Sequence, residues 1–141
     1  MYLLDTNVCI RILNNSSAAL LSRLQSKRPS QLVLSSVVKA ELVYGARKSG
    51  RPAENLRVLH DFFEPFVSLP FDDSCSEPYG RIRQELEHLG TPIGPYDLMI
   101  AATAIANDLT LVTHNLDEFA RVVGLRYEDW EVELAGRLSG T

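Results

Sequence analysis

Three acids stand where solvation alone explains them poorly. Asp5 follows Tyr2-Leu3-Leu4, a short apolar run that reads as a buried strand stopping at a polar residue. Glu41 sits among Ala40, Leu42 and Val43, about a turn and a half into a helical pattern. Asp97 opens a segment, 98–106, that is nearly all apolar. An unpaired buried charge is strongly penalised. Carboxylates gathered together raise one another's pKa unless a cation neutralises them. For oxygen donors the natural cation is a hard dication, Mg2+ or Mn2+ rather than zinc. Such a site can activate a nucleophile and stabilise charge on a phosphoryl group. Each acid also has a plainer reading. Asp5 and Asp97 can be N-caps, Glu41 an exposed acid paired with Arg47 or Lys48, and Asp117 the start of a short helix.

The elements that must hold these acids alternate in type. Short apolar runs at 2–5, 32–35, 66–69 and 110–113 read as strands, with a last one at 125–129. Helical spacing is expected from Asp5 to Leu13 and over 18–26. A long helix capped by Ser36 should close at Ser49-Gly50, and another begins at Pro52. A further helix opens at Asp72 or Asp73 and ends at Gly90, one starts at Asp97, and a short one spans 117–123. Gly45 lies inside its helix at a propensity cost of about 1 kcal/mol, and a close neighbour is the expected reason. Alternating strands and helices predict an α/β fold with a mostly parallel sheet of four to five strands and helices on both faces. Ligands bind beyond the carboxyl ends of such strands. Two polar clusters fall there: Asp5-Thr6-Asn7, and Thr113-His114-Asn115.

The 141 residues make one domain, expected to span 1–141, and the segment after Trp130 shows no clear pattern. Two cysteines exclude a disulfide framework, and Cys9 and Cys75 read as reduced, buried fillers. The absence of a leader pattern or a long apolar run leads us to expect a soluble cytoplasmic protein without a membrane partner. The net charge of −4 hides an asymmetry. Segment 11–57 holds nine basic residues and two acids, whereas 58–141 holds five basic residues and fifteen acids. That pattern hints at a polyanion-facing surface, or at helix faces that merely differ in sign.

Four segments in this order resemble the PIN-domain family, and within it the VapC toxins of toxin–antitoxin pairs: Leu4-Asp5-Thr6-Asn7, the run 35–49 around Glu41, the run 93–104 around Asp97, and the run 111–119. The resemblance covers nearly the whole chain. It implies a three-layer α/β/α domain and a Mg2+-dependent endoribonuclease, Mn2+ substituting, with tRNA among the family's substrates. Asp5, Glu41 and Asp97 fall on the family's acidic triad, with Asp5 and Asp97 as metal ligands. A fourth acid often follows the last of the motif strands; here Asn115 occupies that place, as a neutral ligand or water holder, and Asp117, two residues on, is the expected fourth catalytic acid, binding through water. Thr6, Asn7, Thr113 and Asn115 are then expected to orient the carboxylates by hydrogen bonding. Lys39, Arg47, Lys48 and Arg51 surround Glu41 in sequence and could grip RNA phosphates, or serve as solvated and helix-terminal charge. The implied partners are RNA, a VapB-type antitoxin, a second copy in a homodimer, and operator DNA through the antitoxin alone.

Other readings compete. A phosphatase wants a second Asp two residues after Asp5, where Asn7 stands; a receiver domain wants a late Lys, and none follows Lys48. A non-catalytic PIN-fold module that binds RNA or protein is the remaining alternative, disfavoured by the intact acids. His60 and His88 read as surface or packing residues, Trp130 as a packing anchor, and His114 as a neighbour of the site.

Overall fold

The computed structural model describes residues 1–132. Its elements are β1 (Tyr2–Leu4), α1 (Thr6–Leu13), α2 (Ala18–Gln25), β2 (Leu32–Ser35), α3 (Ser36–Arg47), α4 (Pro52–Phe63), β3 (Val67–Leu69), α5 (Ser76–His88), α6 (Pro95–Ala106), β4 (Thr110–Val112), α7 (Leu116–Phe119) and β5 (Tyr127–Glu128). The five strands form one sheet in the order β3-β2-β1-β4-β5, and every pairing is parallel. The α/β expectation holds, and the sheet is parallel throughout.

Parallel sheets are covered on both faces, so their strands are apolar without alternation. Leu3, Leu4, Val33, Leu34, Leu111 and Val112 are fully buried for that reason. Among the helices, α3 packs on α4 and α5 on α6. Chain order reverses between β1 and β4, and the crevice of such a sheet lies at that reversal. Asp5 and Thr113 leave the sheet there.

Several boundaries differ from expectation, each for a local reason. Ser35 rather than Ser36 caps α3: its hydroxyl accepts from the Val38 amide at 3.1 Å, so one residue ends the strand and starts the helix. Asp72 caps a tight turn, Asp73–Cys75, and α5 begins only at Ser76. Pro95 opens α6, with Gly94 at the cap position. Asp97 is therefore the third residue of α6 and not its cap. The short helix starts at Leu116 and stops at Phe119, and β5 shrinks to two residues. No atom lies within 4 Å of where a Gly45 side chain would begin; instead of meeting a close neighbour, Gly45 lines an open groove.

The chain after β5 is anchored by Trp130, 1% exposed. Its ring meets Tyr2 edge-on at 5.1 Å, and its indole N–H donates to Glu128 Oε1 at 3.0 Å. The Lys27 ammonium lies over both rings. Residues 133–141 lie outside the described residues. No helix among those described is long and apolar enough to cross a membrane. Trp130→Ala should cost about 3–5 kcal/mol of unfolding free energy, from lost burial and the cavity left behind, measured by urea denaturation.

Candidate active site

Asp5 continues the ladder between β1 and β4, its amide donating to the Val112 carbonyl at 3.1 Å. Its backbone is extended, which suits a residue that ends a strand and caps a helix. Oδ1 accepts from the Val8 amide at 3.0 Å and Oδ2 from the Thr113 hydroxyl at 2.6 Å. Asp5 therefore caps α1 through Oδ1 while its Oδ2 faces the end of β4. Thr113 is itself fixed, because the Asn115 amide donates to its oxygen at 3.0 Å. The Thr6 hydroxyl donates to Glu41 Oε1 at 2.7 Å and ties α3 to the start of α1. Glu41 thus turns toward the crevice and pairs with neither Arg47 nor Lys48. Asn7 contributes its backbone to Asp5, and its side chain is exposed.

Burial raises the pKa of Asp5; hydrogen bonds from Thr113 and from the Val8 and Asn7 backbones oppose this, and the charge of Glu41 adds to it. Asp97 is pushed up to about 8 by burial, then by a hydrogen bond with Glu118 and the charges of Glu118, Asp5 and Glu41. The structure therefore gathers Asp5, Glu41, Asp97 and Glu118. Glu118 escaped sequence reasoning. Since α7 begins at Leu116, Glu118 faces α6, while Asp117 is exposed and joins no hydrogen bond or ion pair among the described residues. The Asn115 amide group donates to Glu118 Oε2 at 3.2 Å. That Asn-x-x-Glu spacing was the signal that could have singled it out.

The basic candidates divide. Lys39 is engaged, donating to Ser68 Oγ at 2.9 Å with its ammonium over the Phe63 ring. Arg51 pairs with Glu54 at 3.4 Å, and Lys48 lies over Tyr44. Arg47 is exposed and has no side-chain partner among the described residues. Part of the charge asymmetry is internal: Arg11 pairs with Glu131, and Arg23 donates to the carbonyls of Asp129 and Val132 at 3.0 and 3.1 Å. His114 turns from the acids to Asp129, its Nδ1 lying 2.8 Å from Oδ2. Cys9 and Cys75 are free and buried, and burial holds the Cys9 thiol well above its usual range, so it is no nucleophile.

A parallel α/β domain with one buried and three half-buried acids at the strand-order reversal has the form of a nuclease of the PIN class. The PIN domain family model matches residues 2–125. The tRNA(fMet)-specific endonuclease VapC of Salmonella typhimurium is 42% identical over 129 residues, covering 92% of this chain and 97% of that protein. Ribonuclease VapC2 of Rickettsia felis is 38% identical, with 93% and 98% covered. Among solved structures, VapBC2 from Rickettsia felis bound to a DNA fragment of its promoter superposes with a TM-score of 0.86 at 38% identity, covering 92% of this chain and 98% of that one. DNA-bound VapBC from Salmonella typhimurium gives 0.86 at 41%, with 92% and 97% covered. The chain belongs to the PIN-domain VapC family, the ribonuclease toxins of VapBC toxin–antitoxin systems.

The raised pKa of Asp97 has a consequence for stability. The native state holds more protons than the unfolded chain between the ordinary carboxylate pKa and about 8. Asp97 therefore favours the native state most at low pH, and that contribution is lost as pH rises through about 8. Asp97→Asn removes the dependence. In chelator at pH 9, Asp97→Asn should melt above wild type by roughly 2–4 °C, with the difference disappearing near pH 4; calorimetry across that range checks it.

Proposed function

We propose that the chain hydrolyses RNA phosphodiesters with Mg2+, or Mn2+ in its place, held by Asp5 and Asp97. The supporting observation is the four-acid cluster around buried Asp5, in which the charges acting most on Asp5 and Asp97 are all negative. The donors are carboxylate oxygens, the set that hard dications prefer. A bound dication supplies Lewis-acid stabilisation of charge on the phosphoryl oxygens and lowers the pKa of water. The side chains supply position and proton traffic. Asp5 is held in one orientation by Val8 and Thr113. Glu41 is tethered through Oε1, which leaves Oε2 as a proton acceptor for the attacking water. Glu118, held by Asn115, shares a proton with Asp97 when no cation is bound and is the fourth acid of the site.

The substrate we propose is a tRNA, on the 42% identity with a relative named for initiator tRNA. Exposed Arg47 and Lys48 lie at the end of the helix that carries Glu41 and would bind phosphates without sequence preference. A VapB-type antitoxin is the proposed partner, since the two solved relatives are VapBC complexes bound to DNA. An apolar groove of about 400 Å³ between α1, α3 and α4, lined by Ile10, Leu13, Leu42, Gly45, Val58 and Leu59, reaches Glu41 and would take an apolar antitoxin segment. Operator DNA would then be met through the antitoxin.

Purified antitoxin-free protein should cut tRNA into discrete fragments with Mg2+ and not with chelator. Asp5→Asn and Asp97→Asn should each lower the rate by about 10²–10⁴. Glu118→Gln should lower it about tenfold or more, whereas Asp117→Asn should stay within about twofold, as expected for an exposed side chain. Gel analysis of end-labelled tRNA reads all four. A folded, Mg2+-saturated protein that cuts no RNA would contradict the proposal.

A further inference from the structure

We propose that His114, Asp129 and Glu131 form a second cation site, suited to a transition dication of the zinc class, at the carboxyl ends of β4 and β5. One donor atom from each lies within 4.8 Å of the other two. His114 Nδ1 is 2.8 Å from Asp129 Oδ2 and 3.9 Å from Glu131 Oε2. The two His114 separations are below twice a metal–ligand bond of about 2.1 Å and the remaining pair lies within 4.8 Å, so an ion that displaces the proton between His114 Nδ1 and Asp129 Oδ2 to solvent reaches all three once the carboxylates draw in.

The site is built before any ion arrives. The side chains of Asp129 and Glu131 are only 8% and 6% exposed. Trp130, locked in the core between them, sets their place along the chain. The Glu131 amide donates to Asp129 Oδ1 at 3.0 Å, which fixes the Asp129 carboxylate and leaves its Oδ2 to His114. Arg23 fixes the backbone through the carbonyls of Asp129 and Val132. Arg11 holds Glu131 by Oε1. Oε2, the oxygen nearer His114, is buried and has no hydrogen-bond partner among the described residues. A buried carboxylate oxygen left unpaired is costly and asks for a ligand. The two carboxylates against the one guanidinium of Arg11 leave a formal negative charge, which favours a cation.

The donor set decides the kind of ion. An imidazole nitrogen beside two carboxylates suits zinc, cobalt or nickel, whereas Mg2+ and Ca2+ prefer oxygen alone. His114 is 59% exposed in its side chain, so water can complete the coordination. The site is distinct from the acidic cluster. Thr113 turns into that cluster and His114, the next residue, turns out of it. An ion here would clamp segment 129–131 to the turn carrying Thr113 and Asn115, which position Asp5 and Glu118. Its role is thus structural support of the active-site loop.

The test uses the full chain with Asp5→Asn and Asp97→Asn together, so that the acidic cluster no longer competes, and Zn2+ alone as the probe. Calorimetric titration should show one Zn2+ per chain, and His114→Ala on that background should weaken binding at least tenfold. X-ray absorption at the zinc edge should show a nitrogen ligand that the same substitution removes. If the double variant does not fold, the wild-type chain in saturating Mg2+ serves as the background. No Zn2+ uptake, or uptake that His114→Ala leaves unchanged, would overturn the site and leave His114 and Asp129 a plain hydrogen-bonded pair. RNA cleavage is read separately, so failure here does not touch the nuclease proposal.

Discussion

Mutual repulsion among carboxylates at the β1/β4 crevice is the constraint on which the rest of the molecule turns. Four acids from four different elements meet there: Asp5 after β1, Glu41 on α3, Asp97 on α6 and Glu118 on α7. Burial first, and then the neighbouring carboxylates, resist the ionised assembly, and both raise the pKa of Asp97. The fold supplies what is needed to hold them. The buried central strands of the parallel sheet fix Asp5 and Thr113 side by side, and amide and hydroxyl donors aimed at individual oxygens compensate part of the cost. A site that is costly to assemble and built from oxygen donors is suited to a hard dication and to a polyanionic substrate whose backbone charge that ion can offset.

Much of this was legible in the sequence because the central strands are short and mostly apolar, and β1 and β4 are each followed by a polar triplet. Buried parallel strands leave that mark, and the carboxyl ends of strands are where ligands bind. Asp5, Glu41 and Asp97 stood out because their neighbours are apolar, and the structure brings those three together. Glu118 was hidden for the opposite reason. It sits beside Asp117 in a polar stretch, and only the register of a four-residue helix decides which of the two faces α6. Helix ends shift by a residue or two with local capping, and over one turn that shift exchanges inward and outward positions. Gly45 misled in a related way. An open groove and a close neighbour leave the same residue in the sequence, and only the packing of α1 and α4 around it separates them.

The charge asymmetry between the halves of the chain also has a structural meaning beyond RNA. Arg11, Arg23 and Lys27 face the acidic segment after β5 and its Trp130 anchor. The first half of the chain thus uses part of its positive charge to hold the last strand's extension against the sheet. Arg47 and Lys48 remain at the surface, near the end of the helix that carries Glu41. Composition alone could not divide these two uses, because both place basic residues in the same stretch of sequence.

Anomalous diffraction from a crystal of the chain grown with Mn2+ at saturating concentration tests the central claim most directly. The account predicts a peak between the carboxylates of Asp5 and Asp97, lost in the Asp97→Asn variant. Ordered, deprotonated carboxylates with no peak between them at saturating Mn2+ would show that the acids are brought together for something other than a cation.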